Sequence, residues 1–192
     1  WKHFFGKMGI ENTKAAANLG AEVFLIAGPS EEQVNNTLIQ RINVVTAEEM
    51  YEACHRYFSE VTIAILSAAV ADYKPKNIAT DKIKKKDTTL ELELAPTKDI
   101  LASLGAIKQH QYLVGFALET SNEIENALSK LERKNLDAIV LNSLKDKGAG
   151  FALDTNKVTF IDQKQDQVHF ELKSKTAVAK DIMNEILNKL DA

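Results

Sequence analysis

Between residues 67 and 86 the chain gathers the side chains best suited to chemistry. The run Ser67-Ala-Ala-Val-Ala-Asp-Tyr-Lys-Pro75 is followed closely by Lys82-Ile-Lys-Lys-Lys86. The small and apolar stretch Val61 to Ala69 thus ends in a carboxylate, an aromatic ring and a dense group of lysines. That order describes a buried strand emptying into a loop with strong positive charge over the strand's carboxyl end, the place where open α/β sheets bind nucleotides. In an extended segment Lys82, Lys84 and Lys86 point to one side and Lys85 to the other. Ammonium groups aimed into one cleft repel unless an anion sits among them. Phosphate oxygens meet that need, and lysine offsets charge developing on a transferring phosphoryl group. A solvated edge strand blunted with lysine against aggregation accounts for the same residues. Asp72 is placed to take a ribose hydroxyl or to help hold Mg²⁺ near phosphates, or it is simply a turn aspartate.

Further along, Thr97-Lys98-Asp99-Ile100 opens a helix just after Pro96. Free amides at a helix start, with Lys98, favour an anion; capping by Thr97 or Asp99 is the plainer alternative. Gly115 to Thr120 is a second strand end, where Phe116 either stacks on a base or belongs to the core. Lys130 and Lys134, four apart, share a helix face. The four histidines show no metal-ligand spacing and no Ser-His-Asp arrangement is visible. Neither Gly6-Lys7-Met8-Gly9 nor Gly148-Ala-Gly-Phe151 has the glycine spacing of a phosphate loop or a dinucleotide fingerprint.

The elements that must position these residues alternate between helix and strand. Helices are expected over 7–19, closed by Gly20, from the capping-box pattern Thr46-Ala-Glu-Glu49 to about Phe58, and over 97–108, 122–134 and 175–190. Strands are expected over 22–27, 42–45, 61–69, 112–117 and 136–141, the third covered on both faces. Leu90, Leu92 and Leu94 alternate with Glu91 and Glu93, the period of a half-exposed strand, and 158–162 with 168–172 reads as a hairpin. This alternation predicts an α/β fold of one domain over 1–192: a Rossmann-like, mostly parallel sheet with helices on both faces and antiparallel hairpin additions near 83–94 and 158–172.

Composition sets the remaining bounds. The chain has 192 residues, 45% of them apolar, ample for a single core. Its net charge of −3 argues against a general nucleic-acid binder, so the lysine group is a local device. Cys54 stands alone, which excludes a disulfide framework and fits a reducing cytoplasm. No apolar run approaches the roughly 18–20 residues of a membrane-spanning helix. The chain opens on Trp1-Lys-His-Phe without Met, so residues upstream are expected.

Taken together, Gly6-Lys7-Met8-Gly9, Ala68-Ala-Val-Ala-Asp-Tyr73, Lys82-Ile-Lys-Lys85, Lys98-Asp-Ile-Leu101, Val114-Gly-Phe-Ala117, Lys134-Asn-Leu-Asp137 and Gly150-Phe151 with Asp154-Thr-Asn-Lys-Val158 resemble the phosphopantothenoylcysteine synthetases of coenzyme A biosynthesis. In many bacteria this is the carboxy-terminal half of a bifunctional protein, behind a flavin-dependent decarboxylase. The resemblance runs from residue 6 to the end. It implies a ligase that uses CTP to activate 4′-phosphopantothenate as an acyl-cytidylate and then joins it to L-cysteine. It further implies Lys82 as the lysine required for cytidylate formation, with Ser67, Ala68, Ala71, Asp72 and Tyr73 along the cytidine. Lys98, Asp99, Ile100, Leu101, Phe116, Lys130 and Lys134 match positions that contact the nucleotide. Mg²⁺ is implied as the phosphate counterion, with no metal ligand assigned; FMN is not expected in this part, and a homodimer is suggested.

One departure stands out. Lys2-His3-Phe4-Phe5 occupies the place of the family's Asn-x-Ser-Ser, and the family's earlier strand and glycine-rich loop have no counterpart among these residues. That motivates a competing reading, a catalytically silent nucleotide-binding or assembly module of the same fold. A nicotinamide dehydrogenase is a poorer third, since no G-x-G-x-x-G follows a strand.

Overall fold

The computed structural model describes residues 6–30, 32–77, 79, 81–83, 89–143 and 153–191. In chain order they form α1 (Lys7–Asn18), β1 (Val23–Ala27), β2 (Ile39–Asn43), α2 (Ala47–Phe58), β3 (Ile63–Leu66), β4 (Tyr73–Pro75), β5 (Leu94–Pro96), α3 (Ile100–Ile107), β6 (Tyr112–Glu119), α4 (Glu123–Arg133), β7 (Ala138–Ser143), β8 (Thr155–Asn156), β9 (Val158–Asp162), β10 (Gln167–His169), β11 (Lys173–Ser174) and α5 (Lys175–Leu190).

A five-stranded sheet in the order β10-β9-β7-β6-β3 is the core of the fold. β3, β6 and β7 run parallel, with Leu66 opposite Gly115 and Glu119 opposite Ser143. β9 and β10 continue the sheet antiparallel, as the sequence predicts for a terminal hairpin. The strands alternate faces in the usual way. Val114, Val140 and Phe160 point to a layer containing α1 and α5. Leu113, Ala117, Ile139 and Leu141 point to α2, α3 and α4. Helices therefore cover both faces, and the mixed α/β layer expected from the sequence is observed.

Several boundaries differ from expectation. The strand anticipated over 61–69 is only Ile63–Leu66, and it is half-buried rather than enclosed. It pairs with β6 alone among the described strands, so it is an edge whose outer side lacks a neighbouring strand. The strand anticipated over 42–45 lies earlier, at Ile39–Asn43, where it pairs in parallel with β1 as a separate two-stranded sheet. The alternating leucine run gives a strand only at Leu94–Pro96, antiparallel to Tyr73–Pro75. Leu90 and Leu92 precede that strand and Leu94 opens it; they are 65%, 60% and 55% exposed. α3 starts three residues later than expected because Thr97 is engaged elsewhere. Lys2–Phe5, Lys84–Lys86 and the Gly148–Phe151 loop lie outside the described residues.

Candidate functional site

Ser67 is the first residue beyond the carboxyl end of β3, and it is half-buried. α1 approaches it closely: a Cβ on Gly9 would lie 2.9 Å from the Ser67 hydroxyl oxygen, so glycine permits this contact. The chain then continues through exposed Ala68, Ala71 and Asp72, with Val70 anchored in the core layer of α2–α4.

Thr97 fixes this loop in place. Its hydroxyl donates to the Ala71 carbonyl at 2.6 Å and its amide to the Asp72 carbonyl at 2.9 Å. The clamp sets Ser67–Asp72 beside Thr97–Leu101, two segments distant in sequence. β4 and β5 leave from this point as a ribbon, held also by the Lys76 ammonium on Glu93 at 2.6 Å. Tyr73, in β4, is 62% exposed. Lys82, further out, is exposed and takes no ion pair with any described residue.

The start of α3 resolves the capping alternatives: Asp99 is the cap, its carboxylate accepting from the Ala102 amide at 3.0 Å. The Lys134 ammonium reaches the same carboxylate at 2.8 Å. Burial alone pushes the Asp99 carboxyl up, but Lys134 and the Ala102 amide together hold it below the usual carboxylate range. Ile100 is buried in the core, and Leu101 packs where a Gly115 side chain would stand. Their side chains are structural, which leaves backbone groups as their means of touching a ligand.

Phe116 is half-buried and packs against the α1/α5 layer, the core alternative of the two left open by the sequence. Lys130 donates to Glu119, at the end of β6, at 2.6 Å, and Asn126 binds the other Glu119 oxygen at 3.0 Å. Lys130 thus stands at the end of β6, over a different strand from Ser67.

Two acidic residues were missed by sequence reasoning. Glu119 ends the strand that carries Phe116. Glu48 lies in the first turn of α2 and accepts from Lys98 at 2.5 Å and from Lys74 of β4 at 3.3 Å. The Lys98 ammonium also lies 4.4 Å from the centre of the Tyr51 ring. The Lys98 bond chiefly holds the Glu48 carboxyl low, and the same bond raises Lys98. The only sequence signal for Glu48 was the capping box, in which the partner of Thr46 is its neighbour Glu49.

The described geometry therefore sets Lys74, Lys98, Lys130 and Lys134 in ion pairs around the loop after β3 and the starts and ends of the neighbouring helices, with Lys82 exposed further along the chain. The first four are engaged by Glu48, Asp99 and Glu119. Among the described residues no group of three or more His, Cys, Asp or Glu is placed to hold a metal ion. No helix among them is long and apolar enough to cross a membrane.

Known proteins resemble this chain in sequence and fold. A cysteine/cysteine sulfinic acid decarboxylase from an unknown prokaryotic organism is 52% identical over 183 residues, 95% of this chain and 51% of that protein. The coenzyme A biosynthesis bifunctional protein CoaBC of Bacillus subtilis is 43% identical over 181 residues, 94% of this chain and 45% of that protein. The chain spans about half the length of these curated relatives. The crystal structure of the C-terminal domain of a CoaBC superposes with a TM-score of 0.81 at 37% identity, covering 97% of this chain and 85% of that one. A flavoprotein of DNA/pantothenate metabolism from Streptococcus pneumoniae shares the fold, with a TM-score of 0.80 at 20% identity. Residues 3–190 match the family described as the DNA/pantothenate metabolism flavoprotein C-terminal domain, and the chain belongs to that family, as its motifs led us to expect.

Proposed function

We propose that this chain is a phosphopantothenate–cysteine ligase that uses CTP in coenzyme A biosynthesis. The observation that carries the reading is the Thr97 clamp, which brings Ser67–Asp72 and Lys98–Leu101 to one place at the end of β3. The bifunctional relatives and the shared fold of the CoaBC C-terminal domain support it. The more identical relative bears a decarboxylase name, but that name belongs to a protein about twice as long as the matched region.

In the first step a carboxylate oxygen of 4′-phosphopantothenate attacks the α-phosphorus of CTP, and pyrophosphate leaves with the electron pair of the broken P–O bond. In the second the amine of L-cysteine attacks the acyl carbon, loses a proton, and CMP departs. A carboxylate oxygen is a poor leaving group and CMP a good one, so activation precedes amide formation. Lys82 is the proposed catalytic group, its ammonium offsetting charge on the phosphates as the P–O bond breaks. Lys98, Lys130 and Lys134 exchange their carboxylate partners for phosphate oxygens. The base lies against the backbone of Ser67, Ala68 and Ala71, and Asp72 and Tyr73 border the ribose. Asp72 is the residue proposed to help hold Mg²⁺, which would supply counter-charge to the phosphates.

The chain works beside a flavin-dependent decarboxylase part, as the lengths of the bifunctional relatives suggest. It pairs with a second copy through the exposed Leu90, Leu92 and Leu94, which lead into the β4–β5 ribbon.

The test is pyrophosphate release from CTP and 4′-phosphopantothenate before cysteine is added. Lys82→Gln is expected to lower that release on the order of 100-fold or more. Undiminished release in the variant removes Lys82 from the mechanism. Calorimetric binding of CTP with no release by the unaltered protein supports the silent nucleotide-binding module instead.

A further inference from the structure

We propose that Glu48 is a positioning residue of this site, holding the Lys98 side chain and, through Lys74, the root of the ribbon against the start of α2. The proposal rests on the nucleotide-binding reading above and adds a residue to it.

α2 begins with two glutamates, and its cap uses only one. Thr46 accepts from the Glu49 amide at 3.1 Å while the Glu49 carboxylate accepts from the Val45 amide at 2.7 Å, a reciprocal box that leaves Glu48 out. Glu48 is still favoured there, because a carboxylate in the first turn meets the positive end of the helix dipole. Its two oxygens face two different elements. One takes Lys98, just before α3, at 2.5 Å; the other takes Lys74, in β4, at 3.3 Å.

The same face of α2 continues this cradle. Tyr51, three residues on, lies under the Lys98 ammonium, and His55 packs against Tyr51 with ring centres 4.2 Å apart. His55 in turn meets the Ser103 hydroxyl at 3.0 Å, inside α3. Residues at spacings of three and four share one side of a helix, so Glu48, Tyr51 and His55 form a stripe against which Lys98 and α3 are laid. Thr97 ties the ribbon to the loop after β3 through backbone acceptors. Glu48 adds the side-chain tie from ribbon to helix layer, and Lys82 lies on the segment that β4 begins.

Two lysines converging on one carboxylate have a further consequence. Tyr73 opposite Pro96 and the Thr97 amide on Asp72 keep the two backbones paired, but without Glu48 the two ammonium groups would repel each other and leave the start of α2 whenever no phosphate lies between them. Glu48 therefore keeps the empty site assembled, so the nucleotide meets Lys98 and the ribbon already aligned. Each exposed pair is weak in isolation, and the effect belongs in nucleotide affinity rather than in global stability.

The experiment has two arms. With no nucleotide present, trypsin cleavage between Lys74 and Lys98 is followed in the unaltered protein, Glu48→Gln, Lys74→Gln and the double variant. Glu48→Gln is expected to be cut at least threefold faster, Lys74→Gln likewise, and the double variant no faster than either. Equal cleavage of Glu48→Gln and the unaltered protein, at matched thermal midpoints, overturns the proposal. In the second arm the KM for CTP in pyrophosphate release rises at least threefold in Glu48→Gln while kcat stays within twofold. An unchanged KM also overturns it. If the unaltered protein releases no pyrophosphate, the ligase reading fails while the cleavage arm still judges Glu48.

Discussion

Gly105 shows how a residue without chemistry governs one that has it. A Cβ on this glycine would lie 1.9 Å from the Lys134 carbonyl oxygen, and the side-chain amide of neighbouring Asn135 donates to the Gly105 carbonyl at 2.9 Å. At Lys134 the added carbon meets backbone, with no flexible side chain to yield. Gly105→Ala is therefore expected to cost about 1–3 kcal/mol, the usual range for overpacking, read as a lower denaturant midpoint. It should also draw the Lys134 ammonium off Asp99 and raise the KM for CTP. A variant as stable as the unaltered protein would show that the two segments separate freely. The sequence made Lys134 visible through its family match but gave no sign of Gly105, because a close backbone approach between distant segments leaves no local pattern. Asp99 was legible only as one of two possible caps; the choice followed from Thr97 being recruited by Ala71, a contact across 26 positions. Phe116 was ambiguous for the same reason, since core and base stacking ask for the same side chain.

Elements with strong local chemistry were the most legible. The capping box of α2 and the span of α5 stand where periodicity and end signals put them. β2 and β3 did not, because short apolar runs identify a strand without fixing its ends, which depend on the partner strand. The β9–β10 hairpin was legible, yet what secures its turn was not. One Asp162 oxygen accepts from the Lys164 and Asp166 amides at 2.9 Å each, and the other accepts from the Lys189 ammonium of α5 at 2.5 Å. Burial pushes this carboxyl up, but Lys189 and the two amides outweigh it and hold it below its usual value. A carboxyl lowered in the folded state stabilises the fold at pH values above its unfolded pKa, about 3.9. That contribution fades as the pH falls from about 4 through the lower folded value. Asp162→Asn is expected to cost about 1–3 kcal/mol at pH 7, with the difference shrinking toward pH 3. Urea unfolding at both pH values checks this, and a gap that is constant with pH would remove Asp162 charge from the account.

At the scale of the whole molecule, the sheet expected to be continuous is divided: β1 and β2 pair with each other, and β3 edges the five-stranded sheet. Sequence alternation reveals that strands and helices take turns, but strand order comes from crossovers that local pattern does not encode. The β4–β5 ribbon is a second whole-molecule feature, and Leu90 and Leu92 leading into it, with Leu94 at its start, alternate with glutamates while facing water. Such an exposed apolar run favours a partner, and a matching run from a second copy would bury both. A leucine withdrawn from water contributes about 1.5–3 kcal/mol, and twofold symmetry counts each position twice. Leu92 sits in the middle of the run, at 60% exposure, so its replacement by a charge should be felt on both sides of the contact. Leu92→Glu is expected to halve the mass measured by light scattering while leaving the thermal midpoint of the separated chain little changed, because no core contact is lost. Because β4 and β5 also lead to Lys82, separation should raise the KM for CTP in the same variant. A Leu92→Glu protein that keeps the mass of the unaltered form would place the contact elsewhere and leave the exposed leucines without a partner in a second copy.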